Sequence, residues 1–556
     1  MRLSPLLSAS SHVSLLFAAP RGKEEGPSPP TRPCRSAPIF FRRSTAFTRP
    51  RDPLQFHTIA SLCTARSMRR VTCWPWALRA GVCTFTALRS TSERSDCATD
   101  PRELAQHPPG GGDADTEDVI TPWTVVAKGP QGINYDRVLT TFKAERVDDS
   151  ARQHIRDAIA KCHERTASVT SVNAQNTPTP VSTAVSPGGV PAQVCVSPAA
   201  QQQQPPPPPL HHFFSRGIAF SHRDLHKALD DIEASIKPEE PSVFLYTGRG
   251  PSAGTMHAGH VLPFMLAKYL QDVFNLPLVI QITDDEKFLF RGVPFEGAVA
   301  EEVILNNIKD IIAFGFHPRH TFIFRNTHYM GELYPTVLPL QRSMTGNSVK
   351  HTLGLTDSDN VGKFAFPATQ AAPCFSTAFR RVLPNGDRPM RCLIPCAIDQ
   401  DPFFVLTRAA APRLKQPPPA LLHTQFLPAL KGLEHKMSSS AEENGVITLH
   451  DTDKQVRKKL RRAFSGGCAT LEQMQETGAN LKVDVAYQYL RFFCRDDALF
   501  ADVTQRYGRG TMNSGDVKDL AADCIICDVL HDWREQREKV SDDDVVNFCR
   551  IRDILH

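Results

Sequence analysis

The sequence predicts an α/β fold, with a Rossmann-like parallel sheet in the middle of the chain and an α-helical domain after it. Three observations carry the prediction. An extended apolar run, Ser242-Val243-Phe244-Leu245-Tyr246, gives way to a glycine-rich turn, Thr247-Gly248-Arg249-Gly250-Pro251-Ser252-Ala253-Gly254, and then to a helix-like stretch over about 257–274. A second run, Leu278-Val279-Ile280-Gln281-Ile282, is almost wholly apolar, as suits a parallel strand covered on both faces. From about His450 the pattern reads as helical to the C-terminus.

In chain order, residues 1–117 read as a disordered leader. To about Arg94 they are rich in Arg and Ser, with acids only at Glu24, Glu25 and Asp52 and then Glu93, and they include a short apolar run, Val13-Ser14-Leu15-Leu16-Phe17-Ala18-Ala19. That composition also suits a transit peptide, which would place the chain in a mitochondrion or plastid instead of the cytoplasm. Pro108-Pro109-Gly110-Gly111-Gly112 reads as a linker. Residues 118–240 form an extension that precedes the sheet domain, with Thr121–Val125 extended and 149–164 helical. Inside it, 166–209 collapses to Ser, Thr, Val, Pro and Gln and ends in four glutamines and five prolines. Such a stretch cannot bury enough apolar surface to order itself and is expected to be a disordered insertion. Ser221 is expected to cap a helix beginning at Ser221-His222-Arg223-Asp224-Leu225. The sheet domain should occupy 241–449 and the helical domain 450–556.

Composition narrows the function classes. Charged residues make up 22% of the 556 and the net charge is +5, so any nucleic-acid surface must be local. No uncharged apolar run approaches the roughly 18 residues of a spanning helix. Fifteen cysteines are scattered without a regular framework. The one CxxC, Cys524-Ile525-Ile526-Cys527, lacks a second pair and is expected at helical core positions, not at a metal. There is no G-x-x-x-x-G-K-[ST], and the glycines at 248, 250 and 254 miss the G-x-G-x-x-G spacing, which excludes P-loop and dinucleotide readings.

Two short segments about 180 residues apart carry the chemistry. His257-Ala258-Gly259-His260 falls where the first helix begins, so unpaired backbone N–H groups and the positive end of the helix dipole would meet a phosphate there. Two imidazoles three apart share one side of that turn. Lys436-Met437-Ser438-Ser439-Ser440 supplies a cation and three hydroxyls on a loop. With the glycine-rich turn, Leu270-Gln271-Asp272-Val273-Phe274-Asn275, Thr283-Asp284-Asp285-Glu286-Lys287, Thr369-Gln370-Ala371-Ala372-Pro373 and Ile398-Asp399-Gln400-Asp401-Pro402, in that order, the chain resembles the eukaryote-type tryptophanyl-tRNA synthetases. These belong to the class I aminoacyl-tRNA synthetases. The likeness runs from about Thr121 to the C-terminus, broken by the insertion.

The resemblance implies a class I synthetase catalytic domain with a C-terminal helical anticodon-binding domain, and ATP-dependent attachment of L-tryptophan to tRNA(Trp). It gives His257, His260 and Lys436 catalytic roles in the transfer at the α-phosphorus of ATP, with Mg2+ assisting. It assigns ATP to Gly259, Met437, Ser438, Ser439 and Ser440, with Asp399 taking the ribose hydroxyls. The indole N–H falls to Tyr246 and Gln281, and the α-amino group to Glu286, Gln370 and Gln400. It also implies a homodimer, formed through the region between the second strand and Gln370. Two positions depart from the usual signatures: Ala258 replaces a larger apolar residue, and Ser440 stands where many relatives have a second lysine, a shortening shared by eukaryote-type relatives. After His450, Lys454-Gln455-Val456-Arg457-Lys458-Lys459-Leu460-Arg461-Arg462 packs cations at helical spacing. A solvated face and a tRNA phosphate contact through Lys454, Arg457, Lys458 and Arg461 both remain open. A tyrosyl-tRNA synthetase shares both signatures, and a catalytically silent relative would keep the fold, but the contexts of Gln281 and Asp399 fit tryptophan and the full ligand set fits an enzyme.

Overall fold

The computed structural model describes residues 118–129, 131–175, 206–235, 240–251, 254–383, 388–436, 445–468 and 470–555, without the side chains of 166–175, 435, 436 and 471. The chain divides into a unit spanning 1–105, which holds no described residue, and one spanning 106–556. The leader, residues 176–205 of the insertion and Met437, Ser438, Ser439 and Ser440 therefore lie outside the described residues.

A seven-stranded sheet organises the second unit: β1 (Glu145–Arg146), β2 (Ala219–Arg223), β3 (Val243–Arg249), β4 (Leu278–Ile282), β5 (Thr321–Arg325), β6 (Arg391–Ala397) and β7 (Ala420–Thr424), in spatial order β1-β2-β7-β6-β3-β4-β5. From β7 to β5 the pairing is parallel; β2 joins β7, and β1 joins β2, antiparallel. Parallel strands all point one way, so the carboxyl ends of β3, β4 and β6 share one edge of the sheet, where such folds place their ligands. The helices that matter for the site are α1 (Ala258–Phe274), α2 (Asn326–Ser343), α3 (Val361–Ala371), α4 (Asp401–Ala410), α5 (Asp453–Arg461) and α6 (Ser514–Ile525). Two clusters of buried side chains cover the sheet. One holds Leu245, Ile280 and Ile282 with α1 and the C-terminal helices; the other holds Phe244, Tyr246 and Val279 with Tyr329, Phe379 and Phe404. Every side chain of β4 is buried, as its apolar run requires.

Two local expectations are corrected. The first strand does not stop at Tyr246, because Thr247, Gly248 and Arg249 stay paired with Ile280, Gln281 and Ile282, and the turn begins only after Arg249. Ser221 does not cap a helix. It lies within β2, fully buried, with its hydroxyl against His423 Nδ1 at 2.9 Å, and the helix starts at Leu225 after Asp224 in the left-handed region (φ 52°). A hydroxyl engaged across the sheet is not available to a helix N-terminus. The helix expected over 149–164 runs on to Gln175. The sheet also takes two strands from before Pro241, and the C-terminal part is helical as expected.

The CxxC is split. Cys524 is buried at the end of α6, whereas Cys527 is exposed in a π-helical turn, Ile526–His531. Cys524 instead lies near Cys494 and Asp528, their ligand atoms all within 4.8 Å of one another.

Candidate active site

A cavity of about 290 Å³ opens at the carboxyl ends of β3, β4 and β6. It is at the lower limit for small-molecule sites and of a size for an amino acid. The structure brings most of the expected residues to it: Tyr246, His257, Gly259, His260, Glu286, Gln370, Asp399 and Gln400 all line it. Gln281 does not. It is fully buried one layer behind, on β4.

Behind the cavity wall four side chains form a line. The Tyr246 hydroxyl donates to Gln281 Oε1 at 2.5 Å; Gln281 Nε2 donates to Asn326 Oδ1 at 2.7 Å; Asn326 Nδ2 donates to Asp285 Oδ1 at 2.7 Å. Gln281 Nε2 also lies 3.4 Å from the Thr369 carbonyl. Burial pushes the Asp285 carboxyl up to about 6, partly offset by the Asn326 hydrogen bond, so it is ionised at neutral pH. Burial likewise raises the Tyr246 phenol well above its ordinary value and keeps it neutral. The single hydroxyl proton goes to Gln281 Oε1 at 2.5 Å in preference to the Gln370 carbonyl at 3.4 Å, which leaves the oxygen lone pairs of Tyr246 for an incoming donor.

The glycine-rich segment supplies space as well as backbone. A Cβ on Gly250 would collide with Glu286 Oε2 and force that side chain to move, and one on Gly248 would sit a tight 3.2 Å from the Gln281 carbonyl oxygen. Glu286 is paired with Lys287, whose Nζ lies 2.7 Å from Oε2. At the N-terminus of α1 the two histidine rings stack with centroids 3.5 Å apart. The His257 backbone N–H donates to His260 Nδ1 at 3.3 Å, which makes that nitrogen the acceptor and leaves Nε2 of a neutral His260 as the proton-bearing one. Thr448 bridges to His257, and Ala258 N–H donates to the Ile447 carbonyl at 2.8 Å. The segment downstream of the lysine signature is thereby tied to the histidine signature. Lys436 ends the strand Gly432–Lys436, and the structure describes its backbone alone.

Two acids two positions apart after β6 do different work. Asp399 is 4% exposed and lines the cavity, whereas Asp401 is turned away from it. Arg223 Nε and Nη2 donate to Asp401 Oδ1 and Oδ2 at 2.7 and 2.8 Å, and His423 Nε2 stands 3.3 Å from Oδ1. Burial alone would raise the Asp401 pKa, but the bonds from Arg223 and His423 overcome it and hold the group at about 2. Asp284 is similarly structural, accepting from Arg325 Nε at 3.1 Å and from the Thr327 N–H at 3.2 Å.

Two further residues line the cavity without a role predicted from sequence. Arg249, the last residue of β3, is 8% exposed; its Nε donates to Asn307 Oδ1 at 3.2 Å, but its Nη2 has no partner. Burial lowers its pKa to about 10, opposed by Glu286 and Asp310, so it stays cationic. Its place between Gly248 and Gly250 was the available signal. Trp123 comes from a hairpin, Val119–Ile120 with Val125–Val126, at the edge of a four-stranded sheet, stacks on Phe290 at 4.2 Å and meets Phe403 edge-on at 5.7 Å. Nothing local in the sequence links it to residues so distant. The basic run is also partly engaged. Lys459 is buried against Asp451 (2.7 Å), Arg457 pairs with Asp523 on α6 (2.6 Å) and Arg461 with Asp519 (3.2 Å), while Lys454 and Lys458 are exposed.

The family described as tRNA synthetases class I (W and Y) matches residues 238–527. The chain belongs to this family. It is 46% identical over 344 residues to the cytoplasmic tryptophan–tRNA ligase of Dictyostelium discoideum, covering 61% of this chain and 84% of that protein. The human cytoplasmic tryptophan–tRNA ligase is 38% identical over 473 residues, covering 84% of this chain and 88% of its own length. Among solved structures, the tryptophanyl-tRNA synthetase of Plasmodium falciparum superposes with a TM-score of 0.60 at 35% identity, covering 75% of this chain and 95% of that one. The class I synthetase fold and the aminoacyl-tRNA ligase chemistry follow from that membership. Among the described residues no helix is long and apolar enough to cross a membrane.

Proposed function

We propose that this chain is a tryptophan–tRNA ligase: it activates L-tryptophan with ATP to tryptophanyl-adenylate and passes the acyl group to tRNA(Trp). The observation that carries the reading is the cavity lining, where a neutral tyrosine oxygen is left as an acceptor and Phe366, Phe403, Phe404 and Ile394 supply apolar surface. An indole has a flat apolar face and one N–H, and that wall complements both.

The carboxylate oxygen of tryptophan attacks the α-phosphorus of ATP in line, and pyrophosphate leaves; a terminal ribose hydroxyl of the tRNA then takes the acyl group from the adenylate. Neither step needs a protein nucleophile, so catalysis is positioning and charge stabilisation. Tyr246 accepts the indole N–H, with Gln281 holding it. Glu286, Gln370 and Gln400 surround the α-amino group. Arg249 presents its unpaired Nη2 to the anionic centre where carboxylate and α-phosphate meet. His260 donates through Nε2 beside the N-terminus of α1, and Lys436 meets the departing pyrophosphate. Asp399 takes the ribose hydroxyls, with Gly259, Met437, Ser438, Ser439 and Ser440 around the nucleotide. Mg2+ arrives as the counter-ion of ATP, and no side chain of the cavity is assigned to it.

Lys454 and Lys458 offer phosphate contacts to the tRNA directly, and Arg457 and Arg461 join after exchanging exposed ion pairs of small worth. A homodimer is supported by the solvent-facing Tyr334 and Leu338 on α2, each nearly half exposed. Cytoplasmic residence is supported by the names of the relatives. The test of the reading is pyrophosphate exchange into ATP with tryptophan and tyrosine in parallel. Exchange with tryptophan alone is expected; exchange with tyrosine alone, or with neither, overturns it.

A further inference from the structure

A tyrosine hydroxyl can turn either its proton or its lone pairs toward a ligand, and the choice decides what ring that ligand must carry. Here the choice is made three residues away. We propose that Asn326 and Asp285 are positioning residues that fix the polarity of Tyr246, making the end of the cavity an acceptor and thereby selecting an amino acid whose ring bears an N–H. The inference rests on the assignment of this cavity to tryptophan.

The polarity is set from Asp285 inward. An ionised carboxylate has no proton to give, so Asn326 must turn its amide nitrogen to Asp285 Oδ1, as observed at 2.7 Å. Asn326 is fully buried, and its remaining polar atom, Oδ1, faces Gln281. Gln281 must therefore present Nε2 to it, a direction reinforced by the Thr369 carbonyl, which can only accept. That leaves Gln281 Oε1 against the Tyr246 oxygen at 2.5 Å. Two acceptors cannot face each other at that distance, so the tyrosine donates. Reversing the Gln281 amide alone would set its oxygen against Asn326 Oδ1, and reversing the Asn326 amide alone would set its oxygen against the Asp285 carboxylate and its nitrogen against Gln281 Nε2. The whole line turns together or not at all, and the carboxylate decides which way. Cooperative polarisation along such a chain further favours the donated proton.

The signal was visible in the sequence only as Thr283-Asp284-Asp285-Glu286, whose two aspartates carry no distinguishing context. The structure separates them: Asp284 is taken by Arg325 and Thr327, whereas Asp285 ends the line that leads to the pocket.

The test compares tryptophan with its benzothiophene isostere, which has the same shape and no N–H, as substrates in pyrophosphate exchange with the full-length enzyme. Wild type is expected to prefer tryptophan by about tenfold or more in kcat/KM, the usual consequence of leaving a buried acceptor unmet. Asp285→Asn is nearly isosteric but no longer acceptor-only, so the amides can reverse. The preference should fall by roughly three- to tenfold, while the KM for ATP holds. Asn326→Ser, which breaks the line at its middle, serves as the second variant and should lose the preference likewise. A merely structural role would depress both substrates equally and leave their ratio where it was. An unchanged ratio in the variants overturns the relay and leaves the tryptophan pocket standing. A wild-type ratio near one, or no exchange with tryptophan, overturns the pocket assignment and the relay with it.

Discussion

Removing one oxygen atom from this protein, in Tyr246→Phe, should cost tryptophan far more than it costs ATP. Tyr246 is 1% exposed and its ring packs edge-on against Phe404 at 6.3 Å, so phenylalanine fits the same space without a new cavity. Two hydrogen bonds are lost. In the free enzyme the buried Gln281 Oε1 loses its donor, which should lower stability by about 1–3 kcal/mol. In the complex the indole N–H is buried with nothing to accept it, which adds about 1–3 kcal/mol to the free energy of tryptophan binding. That corresponds to roughly a 5- to 150-fold weaker dissociation constant. The assay is calorimetric titration of tryptophan and ATP in separate experiments, with a thermal melt of the same preparation. Gln281→Leu is a poorer probe, because it strips the partner from Tyr246 and from Asn326 Oδ1 together, and a large fall in Tm would hide any pocket effect. If Tyr246→Phe binds tryptophan as wild type does, or weakens ATP to the same degree, the phenol is not the acceptor and the orientation of the whole pocket is wrong.

Other perturbations reach different parts of the site. Asp401→Asn removes half of a buried ion pair and leaves Arg223 short of its charge, so chemical denaturation should show a loss of about 3 kcal/mol, and a loss below about 1 kcal/mol would mean that the pair is easily replaced. Asp285 has a folded pKa of about 6 against an ordinary 3.8, so its contribution favours the folded state below about pH 4 and is lost as pH rises through 6. Asp285→Asn should therefore gain on wild type by at most about 3 kcal/mol across that window, and a flat difference would contradict the assignment. Lys436→Ala should slow adenylate formation by roughly 10²–10³-fold with little change in ATP binding, since the partner proposed for it is the charge that develops on pyrophosphate. Weak ATP binding with normal turnover at saturation would reduce this lysine to nucleotide capture.

The sheet was legible because a parallel strand buried on both faces leaves an unbroken apolar run, and Leu278–Ile282 is one. The limits of the first strand were not, because Thr247-Gly248-Arg249 has turn composition and is held in the sheet by its neighbour β4. Ser221 misled for the same kind of reason: its local capping chemistry was overridden by pairing with β7, a strand far along the chain. Within the site, the residues at and just after strand ends stood out, since that is where an α/β sheet exposes its ligands. Their second layer did not. Asn326 opens α2 with no pattern to mark it, and Trp123 reaches the cavity from a hairpin that precedes the sheet altogether.

That second layer explains why so few side chains can define the site at all. Tyr246, Gln281 and Asp399 leave three different strands at one edge, and each is aimed by a group the cavity never touches: Gln281 by Asn326, Tyr246 by Gln281, and the turn carrying Asp399 by Asp401 clamped to Arg223. Arg223 belongs to β2, the antiparallel strand beyond β7, so the position of Asp399 is set from outside the parallel core. Substituting a second-layer residue therefore leaves every substrate contact chemically intact and misplaces it. The expected signature is a fall in selectivity or in kcat, with the contact residues still in place. First-layer changes such as Tyr246→Phe instead appear as a loss confined to the substrate whose atom has lost its partner.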